Sequence, residues 1–227
     1  MVIPYYVSPE QMVQDKAEYA RKGIAKGKSI VSLQFDQGVL LVAENPSSSL
    51  NKISEIYDNI AFAGAGKYSE YENLRKAGIR HADLKGYAYG REDVNARSLA
   101  NAYSQLIGDI FSHEIKPLEV EILVSEIRTD GQVGLYRISF DGSIGDEERF
   151  AAIGGQVEEI NNLLAKQYRP DLDLKGALAL AVAALATAGK QAIPAKQLEV
   201  ALLDSNYTGR RFRRLSQQEV SELVQER

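Results

Sequence analysis

The spacing of apolar positions divides the chain into runs of strands separated by pairs of helices. Val13, Ala17 and Ala20 recur at helical spacing, with Ser8 as N-cap, Pro9 at the first helical position and Gln11 completing a capping box. Gly23 offers a stop, so a helix is predicted over 8–22. Residues 29–35 then alternate, placing Val31, Leu33 and Phe35 on one face ahead of an Asp36-Gln37-Gly38 turn. Residues 39–43 are apolar on both faces, the pattern of a buried strand, and 45–49 form a polar loop. Residues 53–57 and 60–65 read as a hairpin around Asp58-Asn59. One helix carries Tyr71, Leu74, Gly78 and Ala82; a second follows Asp93 and carries Leu99, Tyr103, Leu106 and Ile110.

Strands resume at 118–127, turned by Asp130-Gly131, at 135–140, turned by Asp141-Gly142, and at 150–153. A helix with Val157, Ile160 and Leu164 follows Gly154-Gly155. The next starts near Asp173 and carries Leu174, Leu178, Val182 and Leu185, with alanines suited to close packing. A strand at 198–203, a short one near Phe212 and a helix capped by Ser216 and Glu219 close the chain. Hairpin-length connections and paired helices predict an α+β fold. Two antiparallel sheets can stack face to face with helix pairs outside, a four-layer αββα sandwich.

The 227 residues suit a single domain over 1–227. A net charge of −4 argues against a nucleic-acid partner, and the absence of cysteine excludes disulfides and zinc–thiolate sites. No apolar run reaches the ~18 residues of a membrane span, and residues 1–7 lack the pattern of a signal peptide, so no membrane partner and a cytoplasmic location are expected. His81 and His113 have no ligand-spaced neighbours, so no metal and no cofactor is expected. No nucleophile-elbow motif supports a Ser-His-Asp triad, though spacing alone leaves one open. Gly64-Ala65-Gly66 and Gly154-Gly155 lack the lysine and serine of a phosphate loop and read as tight strand-to-helix turns. The run Arg210-Arg211-Phe212-Arg213-Arg214 has two readings, a nucleic-acid patch or a solvated strand or subunit contact; the acidic balance elsewhere favours the second.

Several stretches agree, in order, with one family. Residues 23–33 (GIAKGKSIVSL), 38–46 (GVLLVAENP) and 52–58 (KISEIYD), together with Gly154-Gly155 and the strand to Asp204, resemble proteasome subunits over nearly the whole chain. Pro4-Tyr5, Ser8-Pro9-Glu10-Gln11 and Ala43-Glu44-Asn45-Pro46-Ser47 resemble the alpha class of the actinobacterial type. The resemblance implies the N-terminal-nucleophile hydrolase fold, the same four layers. Peptide-cutting members of that fold use an N-terminal threonine whose own amine activates it. Here Lys28 stands at the position resembling that threonine, and Glu44 and Lys52 stand at positions like the supporting acid and lysine. Lysine supplies no hydroxyl, and a well-capped helix precedes it where a disposable propeptide would stand. The resemblance therefore implies a non-catalytic subunit with no catalytic residue of its own.

It further implies heptameric alpha rings capping beta rings that hold the proteases. A ring-shaped ATPase would dock by C-terminal tails, and substrates would be tagged by the prokaryotic ubiquitin-like protein. Lys52 would receive a tail carboxylate; read without the resemblance, it is a solvated lysine at a strand start. Ile3, Pro4, Tyr5, Tyr6 and Val7 would gate the pore in a tail over 1–7, ahead of the sandwich over 28–227; the alternative is a disordered tail. The Tyr-Asp-Arg gate motif of archaeal and eukaryotic alpha subunits is missing, so the details of their gate do not transfer. The competing reading is a self-processing hydrolase cleaved before Ser29.

Overall fold

A computed structural model describes residues 8–225. Its elements, in chain order, are α1 (Pro9–Ala25), β1 (Ile30–Phe35), β2 (Gly38–Glu44), β3 (Ile53–Tyr57), β4 (Ile60–Gly66), α2 (Tyr68–Ala88), α3 (Ala96–His113), β5 (Val120–Ile127), β6 (Val133–Ile138), β7 (Ile144–Glu147), β8 (Phe150–Ile153), α4 (Val157–Gln167), α5 (Leu174–Gly189), β9 (Leu198–Asp204), β10 (Phe212–Arg214) and α6 (Gln217–Gln225). One sheet has the order β10-β9-β2-β1-β8 and the other β3-β4-β5-β6-β7, and the neighbours in both are antiparallel.

Strand alternation explains the layers. On β2, Val39, Leu41 and Ala43 point inward and meet Ile53, Ala61, Ala63 and Leu123 of the other sheet. Leu40 and Val42 point outward and, with Val31, Leu33 and Phe35 of β1, pack under α4, α5 and α6. On the far side Phe62, Ile122, Val124 and Tyr136 pack under α2 and α3. The result is the expected αββα sandwich. Ser32 and Ser125 face each other between the sheets, their hydroxyl oxygens 3.0 Å apart, so this buried polar pair is mutually satisfied.

Three details differ from the sequence pattern. Helix α1 passes through Gly23 to Ala25, because Gly23 lies against the Glu119 side chain, where a Cβ would come within 2.8 Å of Glu119 Cβ. Gly23 therefore permits close approach and does not end the helix. Helix α3 is capped by Asn95, which accepts from Ser98 N, and its first N–H is taken by the buried Glu126. Its buried stripe runs Leu99, Tyr103 and Ile107, while Leu106 is 40% exposed. Strand β7 was not anticipated: it is short, with the pattern Ile-Gly-Asp-Glu, exposed or half-exposed throughout, and carries no apolar alternation to read.

Helix α1 is docked. Ala20 and Ile24 are buried against Phe140, with Phe111 packed on the same cluster. Lys16 Nζ donates to Phe111 O at 3.0 Å, and Tyr19 Oη donates to Glu119 at 3.2 Å. Gly66 ends β4 at φ +101°, where a Cβ would lie 2.0 Å from Glu119 O, so only glycine fits that turn.

Candidate functional site

At the head of β3 a carboxylate clasp fixes Lys52. Glu199 on β9 is buried, and its Oε2 accepts from Lys52 N at 2.9 Å while its Oε1 accepts from Ile53 N at 3.1 Å. Asn45 Nδ2 donates to Glu199 at 2.6 Å and to Leu50 O at 2.7 Å, closing the 45–52 loop. Arg214 on β10 pairs with Glu199 and donates to Ile53 O at 2.5 Å. The Lys52 carbonyl in turn accepts from Gly64 N at 3.0 Å. The main chain of Lys52 is thus held on both sides, and only its side chain is free to choose a partner.

That side chain is half-buried and donates to Lys28 O at 2.8 Å. Among the described residues it makes no ion pair. Glu44, the buried carboxylate on the end of β2, is taken by Lys28 Nζ at 2.8 Å. Three cations (Lys28, Lys52, Arg214) therefore face two carboxylates (Glu44, Glu199). Lys52 is the surplus charge, and the cluster is suited to an additional anion. Burial lowers the Lys52 ammonium from 10.5 to about 8; Glu199 and Glu44 offset part of that, and Lys28 adds to it.

Ser29 Oγ donates to Gly155 O at 2.5 Å, at the turn that opens α4. Its chain runs back through Lys28 into docked α1. The expected trio of Lys28, Glu44 and Lys52 is therefore brought together, but as an anion-ready cation cluster without a hydroxyl at Lys28. Ile3, Pro4, Tyr5, Tyr6 and Val7, expected to form a gate, lie outside the described residues. His81 sits within α2, and His113 ends α3 with its ring against Asp109 O at 3.0 Å. Among the described residues no group of three or more His, Cys, Asp and Glu is placed to hold a metal.

Glu199 and Arg214 belong to this site and were not foreseen there. Glu199 lies in an apolar strand next to buried Leu198 and Val200, and a charge in such a run is itself the signal that it has a partner. The basic run is largely neutralised from within: Arg210 pairs with Glu55 at 2.7 Å, Arg213 with Glu219 at 2.6 Å and Arg214 with Glu199. This pairing leaves little of the run to serve as a nucleic-acid patch.

A family model described as proteasome subunit matches residues 24–203. The chain belongs to the proteasome subunit family. It is also 51% identical over 235 residues to a proteasome subunit alpha of Rhodococcus opacus, covering 99% of this chain and 90% of that one. It is 50% identical over 228 residues to that of Thermomonospora curvata, covering 100% and 99%, and 51% identical over 226 residues to that of Xylanimonas cellulosilytica, covering 95% and 93%. Within the proteasome family the chain is therefore of the actinobacterial alpha type. No helix of the described residues is long and apolar enough to cross a membrane.

Proposed function

We propose that this chain forms the outer, gatekeeping rings of a proteasome core particle and does not itself cut peptide bonds. Seven copies close into a ring by heterologous side-to-side contacts, and two such rings cap beta rings that carry the nucleophiles. Residues 1–7 restrict admission to the chamber. Lys52 receives the C-terminal carboxylate of a ring-shaped ATPase, which feeds in cytoplasmic substrates tagged by the prokaryotic ubiquitin-like protein. Neither a nucleic acid nor a membrane takes part.

The observation that carries the docking role is the surplus cation: a half-buried ammonium on a fixed main chain, with a neutral carbonyl as its acceptor. A terminal carboxylate fits it as a compact, singly charged partner. One such charge-assisted bond contributes about 1.5–3 kcal/mol, and several tails on one ring multiply the effect. The non-catalytic role is supported by the alpha-type relatives, by Lys28 at the position of the nucleophile and by the docking of α1 ahead of it.

Lys52→Ala in the assembled particle is expected to abolish ATPase-dependent protein degradation and to spare slow hydrolysis of short peptides, read by fluorogenic peptide and tagged-protein assays side by side. Undiminished protein degradation by that variant would remove Lys52 from docking.

A further inference from the structure

A neutral acceptor is not in itself a sign of function: Lys16 and Lys85 also donate to neutral oxygens, Phe111 O at 3.0 Å and Ser98 Oγ at 2.8 Å. What sets Lys52 apart is its neighbour. Lys28 holds the Lys52 ammonium with its carbonyl oxygen and, with its own ammonium, holds Glu44, both at 2.8 Å. The strand ladder brings these groups together. Glu44 N donates to Ser29 O at 3.4 Å, next to Lys28. On its other side Glu44 is in register with Leu198, beside the Glu199 that clasps the Lys52 main chain. Glu44 also lies near enough to Lys52 for its charge to act on that ammonium. The partners are nonetheless allotted against burial. An unpaired ammonium costs more the less water it meets. Yet the buried Glu44 carboxylate is paired with the exposed Lys28, and the half-buried Lys52 is left with a neutral oxygen. The backbone that imposes this is fixed on both sides of Lys28. Gly27 N donates to Ile24 O at 2.9 Å, and Ser29 Oγ donates to Gly155 O at 2.5 Å.

We propose that Lys28 is a positioning residue for tail docking: by occupying Glu44 and offering its own carbonyl, it keeps the Lys52 ammonium out of an internal ion pair and ready for an incoming carboxylate. This rests on the docking role given above. A tail that met Lys52 already paired with Glu44 would have to displace a buried anion and leave it without a cation, a loss that offsets the bond gained. With Lys28 on Glu44, the tail displaces only a main-chain oxygen. Lys28 thus acts through Glu44 and not on the tail. Removing its ammonium leaves the carbonyl of residue 28 in place. Lys52 then faces a choice between that oxygen and a bare buried carboxylate, and the carboxylate is the stronger acceptor.

The test uses core particles assembled from the full-length chain with beta subunits, a labelled peptide bearing the ATPase's C-terminal residues, and electron cryomicroscopy of the same particles. In Lys28→Ala the Lys52 ammonium is expected to move onto the Glu44 carboxylate, and tail affinity to fall about tenfold, the scale of one charge-assisted bond. Adding Glu44→Gln to that variant removes the competing anion and should bring affinity back to within about threefold of the parent. Lys28→Arg keeps a cation on Glu44 and should recover most of the affinity. Lys26→Ala removes the same charge from an exposed side chain nearby, and should shift affinity by less than about twofold. Lys52 still on the carbonyl of residue 28 in Lys28→Ala would overturn the proposal and leave docking at Lys52 standing. So would a double variant that recovers nothing, or an equal loss in Lys26→Ala, which would reduce the effect to a general loss of positive charge. Lys52 moved onto Glu44 with tail affinity unchanged would instead overturn the docking role, and with it any bearing of Lys28 on the tail.

Discussion

At Lys52 burial takes part of the side chain's hydration, and the ammonium is the form that loses by it. The folded chain releases that proton near pH 8, whereas the unfolded chain holds it to about 10.5. Between those values the unfolded state binds more protons, so this group's contribution to stability rises with pH; below about 8 its penalty is present in full. Replacing it with a side chain of similar volume removes the penalty. Lys52→Met is therefore expected to match or exceed the parent in thermal melts at neutral pH, by about 1 kcal/mol at most, while binding no tail. Binding has the opposite pH dependence. A carboxylate needs the ammonium, so tail affinity should fall as pH rises through about 8, measurable as peptide anisotropy at neutral and alkaline pH. A flat profile over that range would contradict the assignment. The sequence placed Lys52 at a strand start and, through the family resemblance, beside Glu44. It could not give the depressed pKa, which depends on burial by elements far apart in the chain.

Among the elements, β9 does more than complete a sheet. Through Glu199 it ties together the 45–52 loop, the first residues of β3 and Arg214 of β10, groups separated by up to 154 positions in sequence. Glu199→Ala would take the acceptor from two main-chain N–H groups, the carboxylate from the Arg214 guanidinium and one of two acceptors from Asn45. The expected loss is about 3–5 kcal/mol, the usual cost of removing one partner of a buried ion pair, seen as a lower denaturant midpoint. A shift under about 1 kcal/mol would mean that water replaces the clasp. The buried stripe of α2, Tyr71, Leu74, Gly78 and Ala82, was readable residue by residue, as was the two-sided burial of β2; in α5 Leu178 and Leu185 are buried, while Leu174 and Val182 are only partly so. Errors fell where local signals compete with tertiary contact. Gly23 looks like a helix stop until Glu119 is seen to occupy the space beside it. The apolar residues of α3 allow more than one stripe, and contact with the sheet selects Ile107 over Leu106.

For the whole molecule, three apolar layers hold four secondary-structure layers together, and α1 lies outside them, against Phe140 and Phe111. The C-terminal end of the helix leads directly into the cation cluster, and Pro9 stands at its other end, about 25 Å away along the axis. A tail attached in this way can act as a gate when several copies converge on one axis. Deleting residues 2–7 is expected to speed hydrolysis of short peptides by the assembled particle severalfold without changing the melting temperature, since α1 keeps its Ser8 cap and its buried face. An unchanged peptide rate would take Ile3, Pro4, Tyr5, Tyr6 and Val7 out of the gate.

The order of elements, the two-sided burial of β2, the capping of α1, α5 and α6, and the lack of a hydroxyl at Lys28 follow from the residues themselves, because each depends on neighbours only a few positions away. The face each strand presents, the stripe by which α3 docks, the clasp at Glu199 and the unpaired charge of Lys52 were decided only in the folded molecule. These depend on desolvation and on contacts between distant segments, which no local pattern encodes.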